Sequence, residues 1–190
     1  IVWESINDVI VGAKEIMGFL KKVSRLVASE NLPVCWTTPK PLNFPVQMMC
    51  YKKESKRVKT KMGDSIIKLS IQSDTDEIDK RKTAQSICPN FIHSLDASVL
   101  QLAVIKAKEK GVTNFSLIHD SFGCVAPDVH KLSEAIREAF CEVYEQDVLT
   151  NWAMEMKQML SDKNAKKFPN IPERGNLDLS LVKQSTFFCV

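Results

Sequence analysis

FSLIHDSFGCV, residues 115–125, is the most informative stretch of this chain. Two short β-prone runs flank a polar triplet, His119-Asp120-Ser121. Such runs on either side of a few polar residues are typical of a strand, a tight turn and a second strand. The sequence therefore predicts a β-hairpin over residues 115–126 that carries a histidine and an aspartate at its tip.

Asp120 is the first candidate for chemistry on this hairpin. A carboxylate at a turn is exposed on one side and braced by two strands, which suits the binding of a divalent cation at fixed geometry. Aspartate is also common in turns because its side chain hydrogen-bonds to the nearby backbone. Taken alone, the residue fits either a metal ligand or an ordinary turn residue.

The segment before the hairpin is predicted to be helical over residues 79–110. Its apolar positions recur at helical spacing, and Pro89 is expected at or near a helix start. His93 lies off the apolar stripe and Asp96 lies at its edge. A polar side chain in such a position either serves a site or is a satisfied capping or core histidine.

Further upstream, residues 34–73 are predicted to form strands and a basic hairpin. Prolines at positions 33, 39, 41 and 45 break the helical pattern, and residues 52–61 hold six basic side chains against one glutamate. Apolar residues alternate with polar ones over residues 67–71, which predicts a half-buried strand. The basic run is either a solvated face or a surface that contacts nucleic-acid phosphates.

The two ends of the chain are predicted to be mainly helical. Apolar spacing of three and four residues predicts a long amphipathic helix over residues 1–30. Residues 128–190 are predicted to contain further helices, a loop rich in proline and an apolar tail. The expected fold class is α+β, with helices packed on a small antiparallel sheet.

The composition narrows the class of protein. The chain has 190 residues, of which 44% are hydrophobic and 26% are charged, and its net charge is +3. These values are typical of one globular domain and are too weakly basic to indicate nucleic-acid binding by themselves. No apolar run approaches the roughly 18 residues of a membrane-spanning helix, so we expect no membrane partner.

The cysteines indicate the cellular compartment of the protein, and the first residues indicate whether the chain is complete. The six cysteines are scattered, so they predict neither a zinc site nor a disulfide framework, and we expect reduced thiols in an intracellular compartment. The chain begins Ile-Val-Trp, without an initiator methionine or a signal peptide, and we expect it to be a piece of a longer protein.

Several of these stretches together resemble a known family. PNFIHSLDA at residues 89–97, followed downstream by IHDSFG at 118–123, resembles the C-terminal part of single-subunit, bacteriophage-type DNA-directed RNA polymerases. The resemblance extends to residues 1–5, to the W-x-T-P…F-P segment over 36–45, and to GNLDL at 175–179 with the closing Phe-Phe. It implies a single C-terminal polymerase region over residues 1–190, with palm and adjoining finger elements of a right-handed polymerase.

The resemblance also implies an activity and site residues. The family transfers nucleotides from NTPs to the 3′ end of an RNA transcript on a DNA template, with two Mg²⁺ ions. Asp120 is then a catalytic metal ligand, and His119 either positions Asp120, contacts the transcript end or packs structurally. His93 is expected near the incoming nucleotide, where it could sense the ribose 2′-hydroxyl.

The basic hairpin fits the same resemblance. On this reading Lys56, Arg57 or Lys59 contacts phosphates of the template or hybrid. This stretch departs from the phage sequences in length and in residue match, so the resemblance assigns these three residues less directly than it assigns Asp120.

The resemblance carries expectations about what the chain needs and where it occurs. One carboxylate cannot hold two Mg²⁺ ions, so the missing N-terminal remainder of the polymerase is an expected partner and the isolated chain is expected to be inactive. The form HDSFG looks closer to phage enzymes, which predicts the cytoplasm of a bacterial host rather than a mitochondrion. A family A DNA polymerase fragment and a non-catalytic nucleic-acid-binding module remain alternatives.

Overall fold

The computed structural model describes residues 11–188. Within them the fold is α+β, as predicted, but three separate two-stranded antiparallel sheets replace the single sheet expected. The first ten residues, including all of the IVWES resemblance and the start of the helix predicted over 1–30, lie outside the described residues, as do Cys189 and Val190.

The elements follow one another in a simple order. The chain runs through α1 (Val11–Ser29), β1 (Val34–Thr37), β2 (Pro45–Met48), β3 (Tyr51–Met62), β4 (Ser65–Ile78), α2 (Lys80–Glu109), β5 (Phe115–Ile118), β6 (Ser121–Cys124), a 3₁₀ turn (Ala126–Asp128), α3 (Val129–Glu145), α4 (Val148–Met159), α5 (Asp162–Ala165) and α6 (Ser180–Gln184). Each strand pairs with the next one along the chain.

Helix α2 begins nine residues before Pro89, so the prediction of a helix start at that proline is wrong. The Asp79 carboxylate caps the helix by accepting hydrogen bonds from the backbone N–H groups of Arg81 and Lys82, both at 3.0 Å. Proline in a helix interior removes a backbone donor and is normally unfavourable. Here Ile87 and Phe91, on either side of the proline, are buried, and this packing keeps the helix continuous through Pro89.

Two hydrophobic clusters lie along α2. The first is built on the N-terminal half of α2 together with α1, the β1–β2 hairpin and α4, and the second on its C-terminal half together with α3. Core residues of the first cluster include Leu20, Val23, Val27, Val34, Ile87 and Met156, and those of the second include Leu102, Ala103, Val112, Leu132, Ala135 and Val143. The helix therefore places residues 93–100, which lie near its middle, between the two clusters.

Strands β3 and β4 form a long hairpin that extends away from both clusters. No residue from 52 to 77 is buried, so the half-buried strand predicted over residues 67–71 is wrong for Leu69 and Ile71, which are exposed. The base of the hairpin is anchored, because Asn31 Nδ2 donates to Asp76 O at 3.0 Å and Asn31 Oδ1 accepts from the N–H of Ile78 at 2.7 Å.

Two further properties concern the described chain as a whole. No helix between residues 11 and 188 is both long enough and apolar enough to span a bilayer. The five cysteines in that range, at positions 35, 50, 88, 124 and 141, are free thiols. Burial raises the pKa of the Cys88 and Cys141 thiols, which keeps them protonated.

Candidate functional site

The short hairpin formed by β5 and β6 holds His119 and Asp120 in its two-residue turn. Ile118 and Ser121 are the last paired residues of the two strands. His119 has φ of 54°, in the left-handed region, whereas Asp120 does not. A positive φ at the first turn residue is typical of the tight turns that join two antiparallel strands. Both side chains at the tip are exposed.

The strands of this hairpin are held against the second hydrophobic cluster. Phe115, Phe122 and Cys124 pack on that cluster and are half-buried. On the other face, an ideal Cβ built on Gly123 lies 3.2 Å from the carbonyl oxygen of Ser116. The strands are therefore packed closely on one side and leave little room at Gly123 on the other, which restricts how the tip can move.

The tip faces the exposed side of α2 across a cavity of about 620 Å³, here called the front cavity. Its lining residues are His93, Asp96, Ala97 and Leu100 of α2 together with His119 and Asp120 of the turn. The three residues predicted for the reaction thus line one space, although they come from two elements. His93 is exposed on α2, so it is not the buried core histidine considered as an alternative.

Asp96 belongs to the same cavity and was not predicted as a site residue. It lies three positions after His93, and residues three apart on a helix share a face. Burial raises the pKa of the nearby Tyr144 phenol, and the charge of Asp96 raises it further, so the phenol stays protonated. The position of Asp96 at the edge of the apolar stripe was the available signal, but it did not show that the helix faces the hairpin tip.

Asp120 also borders a second space, here called the back cavity, of about 340 Å³. It lies between the hairpin and α3, and Phe188 of the C-terminal segment forms part of its wall. In the apolar tail, Phe188 is half-buried in this wall, whereas Phe187 is 78% exposed. Asp120 stands between two open spaces and is not enclosed in apolar packing.

The carboxylates that line the front cavity could supply some of the ligands of a magnesium ion. Among residues 11–188 no three or more His, Cys, Asp or Glu side chains are grouped so as to hold a metal ion. Mg²⁺ is usually bound through one or two protein carboxylates, with waters and substrate phosphates completing its shell. Asp120 and Asp96, which both line the front cavity, therefore offer an incomplete oxygen donor set.

The long hairpin separates its basic residues from its apolar ones. Residues paired across the strands share a face, and successive residues alternate between faces. Arg57 pairs with Ser70 and Lys59 with Lys68, so these side chains lie on the face that also carries Lys53 and Lys61. Lys56 pairs with Ile71 and lies on the opposite face, with Val58 and Leu69. The register therefore brings Arg57 and Lys59 together and separates Lys56 from them.

The chain is similar to known RNA polymerases. Residues 1–167 match the sequence model of the DNA-dependent RNA polymerase family. The chain is 38% identical over 184 residues to DNA-directed RNA polymerase 2, chloroplastic/mitochondrial, of Arabidopsis thaliana, covering 97% of this chain and 17% of that protein. It is 34% identical over 207 residues to T7 RNA polymerase of Escherichia phage T7, covering 98% and 23% respectively.

These similarities correct the predicted location. A mitochondrial DNA-directed RNA polymerase 1 of Nicotiana sylvestris is also 34% identical over 184 residues, covering 97% of this chain and 17% of that protein. Organellar polymerases therefore resemble the chain at least as strongly as the phage enzyme, and the prediction of a phage protein in bacterial cytoplasm is wrong. The relatives are RNA polymerases, so the family A DNA polymerase alternative is not favoured.

Proposed function

Because this chain belongs to the single-subunit DNA-dependent RNA polymerase family, we propose that it is the C-terminal region of an enzyme that synthesises RNA on a DNA template. The chain spans 17% to 23% of the length of the relatives described above, so the activity belongs to a larger protein. Residues 1–190 contribute palm and adjoining finger elements, and NTPs, the template and the transcript are the ligands.

The observation that carries this proposal is the placement of Asp120. Its carboxylate is exposed at the tip of a short hairpin, and it lines the same cavity as His93 and His119. A nucleotidyl transfer site needs an accessible carboxylate on a rigid support next to a space wide enough for a nucleic-acid end. The front cavity offers that combination.

Asp120 is proposed to hold Mg²⁺ together with groups from the rest of the polymerase. When bound, two such ions lower the pKa of the attacking 3′-hydroxyl and stabilise the charge on the leaving pyrophosphate. The role of this chain is to present the Asp120 carboxylate at a fixed point, and the packing of Phe122 on the second hydrophobic cluster supports the strand that follows the turn. The Asp120 carboxylate alone cannot hold two Mg²⁺ ions, so the 190-residue chain by itself is proposed to form no RNA.

The two histidines are proposed to act on the nucleic acid and the nucleotide. His93 projects from α2 into the front cavity, where an imidazole nitrogen can donate to or accept from a ribose hydroxyl. His119 is held in the left-handed region at the turn and can reach the transcript end or steady Asp120. The long hairpin is proposed to contact phosphates through Arg57 and Lys59, with Lys56 on its other face.

The test is a matched pair of aspartate substitutions in the complete polymerase chain that contains this segment. Each hairpin carries one aspartate at its turn, Asp120 in the short one and Asp64 in the long one. We expect Asp120→Asn to lower the rate of single-nucleotide addition by about a thousandfold or more, since metal positioning and charge stabilisation are lost. Asp64→Asn should leave that rate within about twofold, as expected for a residue remote from the reacting atoms.

Template binding, measured by fluorescence anisotropy without NTPs, separates chemistry from affinity. Both variants should bind the template like the parent protein. An Asp120→Asn polymerase that adds nucleotides at the parental rate would show that this hairpin is not part of the active site. A non-catalytic binding module would show that result and would lose affinity only when the basic face is changed.

A further inference from the structure

One arginine of α3 makes two hydrogen bonds to the C-terminal segment. Arg137 is half-buried, and its Nη1 atom donates hydrogen bonds to the carbonyl oxygens of Val182 at 2.6 Å and Ser185 at 2.7 Å. Val182 lies in α6 and Ser185 follows its last residue. Carbonyls at a helix end have no partner within the helix, so a guanidinium there supplies donors that the backbone lacks.

The same guanidinium holds an aromatic ring. Its Cζ atom lies 5.5 Å from the centroid of the Phe188 ring, within the range of a cation–π contact. The other support for the ring is Phe140, also on α3, with the two centroids 5.0 Å apart and the planes at 71°. An edge-to-face pair of this kind is favourable. Arg137 and Phe140, one turn apart on α3, therefore clasp the ring between them.

The position of this ring affects the space behind Asp120. Phe188 lines the back cavity together with Asp120, Ser121 and Phe122. The short hairpin has only four residues in each strand, so its tip has few backbone hydrogen bonds to resist tilting toward that cavity. A ring fixed in the cavity wall limits this movement.

We propose that Arg137 is a positioning residue: it fixes Phe188 in the wall of the back cavity and thereby sets where Asp120 stands. The link to catalysis rests on the proposed function, but the clasp itself does not. Since a displacement of about 1 Å at a reacting group can cost a hundredfold in rate, a contact that does not touch the substrate can still govern turnover.

The clasp can be tested in the complete polymerase without any catalytic assay. The chain is labelled with 4-fluorophenylalanine, and the Phe188 resonance is assigned with Phe188→Leu. We expect Arg137→Gln to move this resonance toward that of the free amino acid and to raise chymotrypsin cleavage at residue 188 by about tenfold, because two charge-assisted hydrogen bonds are lost.

A matched control is available at the other end of α3. Arg174 donates to the carbonyl oxygens of Glu145 at 3.0 Å and Tyr144 at 2.6 Å, so it makes the same kind of bond away from the tail. Arg174→Gln should leave the Phe188 resonance and its cleavage unchanged. If Arg137→Gln leaves them unchanged as well, the clasp is refuted.

The effect on Asp120 is measured in the complete polymerase. Arg137→Gln is expected to lower kcat for nucleotide addition about tenfold while the KM for NTP stays within about twofold, since the nucleotide contacts remain. Arg137→Lys, which keeps the charge, should recover part of the loss, and Phe188→Ala should reproduce the loss with Arg137 intact. Unchanged kcat in Arg137→Gln, with the ring released, would refute the link.

The two proposals fail in different ways. If Asp120→Asn keeps full activity, the proposed function fails, and the fluorine and cleavage data on the complete polymerase still decide whether the clasp exists. If Asp120→Asn is inactive and Arg137→Gln is fully active, the function stands and only the positioning role is lost.

Discussion

The two β-hairpins that end in an aspartate-containing turn differ in what their strands contact. The β5–β6 hairpin has four-residue strands whose side chains Phe115 and Phe122 pack on the second hydrophobic cluster. The β3–β4 hairpin has strands of 12 and 14 residues and no buried residue from 52 to 77. The short hairpin is therefore suited to hold a group in place, and the long one to reach a large partner.

The difference arises from where the apolar residues of each hairpin lie. In the short hairpin they meet helices α2 and α3, and in the long one Val58 and Leu69 pair with each other on an exposed face. Strand pairing alone gives a ribbon of little independent stability. Packing against a helix turns such a ribbon into a rigid support, which is what a metal ligand requires.

Removing most of the long hairpin is the strongest way to test this contrast. Lys53 and Asp74 are a registered pair, so the chain can be closed between them with Asn-Gly. We expect the affinity for the DNA template at low salt to fall by about a hundredfold to a thousandfold, because four basic residues on the face of Arg57 and Lys59 are removed. Anisotropy measurements on the complete polymerase give this value.

The stability of the shortened protein provides the control. The melting temperature should change by less than about 2 °C, since no core residue is removed. A drop well beyond that range would mean that the long hairpin supports the fold, and the contrast between the two hairpins would be broken.

A pair of leucines measures the same contrast within the folded chain. Leu132 of α3 is 4% exposed in the second cluster, whereas Leu69 of β4 is 45% exposed. Leu132→Ala should lower the free energy of unfolding by about 3 kcal/mol, owing to lost burial and the cavity left behind. Leu69→Ala should change it by less than about 0.5 kcal/mol. Urea denaturation of the two variants measures these changes. Equal losses of unfolding free energy would contradict the assignment of Leu132 to the core.

Two glycines, one in each hairpin, test whether a distortion affects catalysis only when it lies close to Asp120. A Cβ on Gly123 would lie 3.2 Å from the Ser116 carbonyl, whereas Gly63 has φ of +62° and open space around it. Gly123→Ala should shift the short hairpin slightly and lower the rate of nucleotide addition about tenfold. Gly63→Ala should strain only the distal turn, by about 1 kcal/mol, and leave the rate unchanged. Loss of rate in Gly63→Ala but not in Gly123→Ala would reverse the proposed roles.

The smallest expected effect is a difference in template binding between substitutions on the two faces of the long hairpin. Arg57→Gln or Lys59→Gln should weaken template binding about threefold and reduce the slope of log affinity against log salt by about one. Lys56→Gln, on the apolar face, should do neither. If all three substitutions leave the salt slope unchanged, the phosphate contacts proposed for this hairpin are absent.

The sequence predicted the local structure well where the signal itself is local. The alternation of residue types and the His-Asp-Ser triplet were enough to locate both hairpins, and PNFIHSLDA with IHDSFG was enough to identify the family, which the comparisons confirm. The helix start at Pro89 was predicted wrongly, because the cost of an internal proline is overcome by burial of Ile87 and Phe91. Intrinsic helix propensities contain no information about tertiary packing of this kind.

The sequence alone was enough to indicate the α+β class, the family and Asp120 as the candidate metal ligand, because each of these depends on residues close together in the chain. Only the tertiary structure decided that His93, Asp96, His119 and Asp120 share one cavity, and that Arg137 holds Phe188 behind the same aspartate. These contacts join residues far apart in the chain. They form because α2 belongs to both hydrophobic clusters and α3 packs between the hairpin and the tail, and no local pattern encodes that packing.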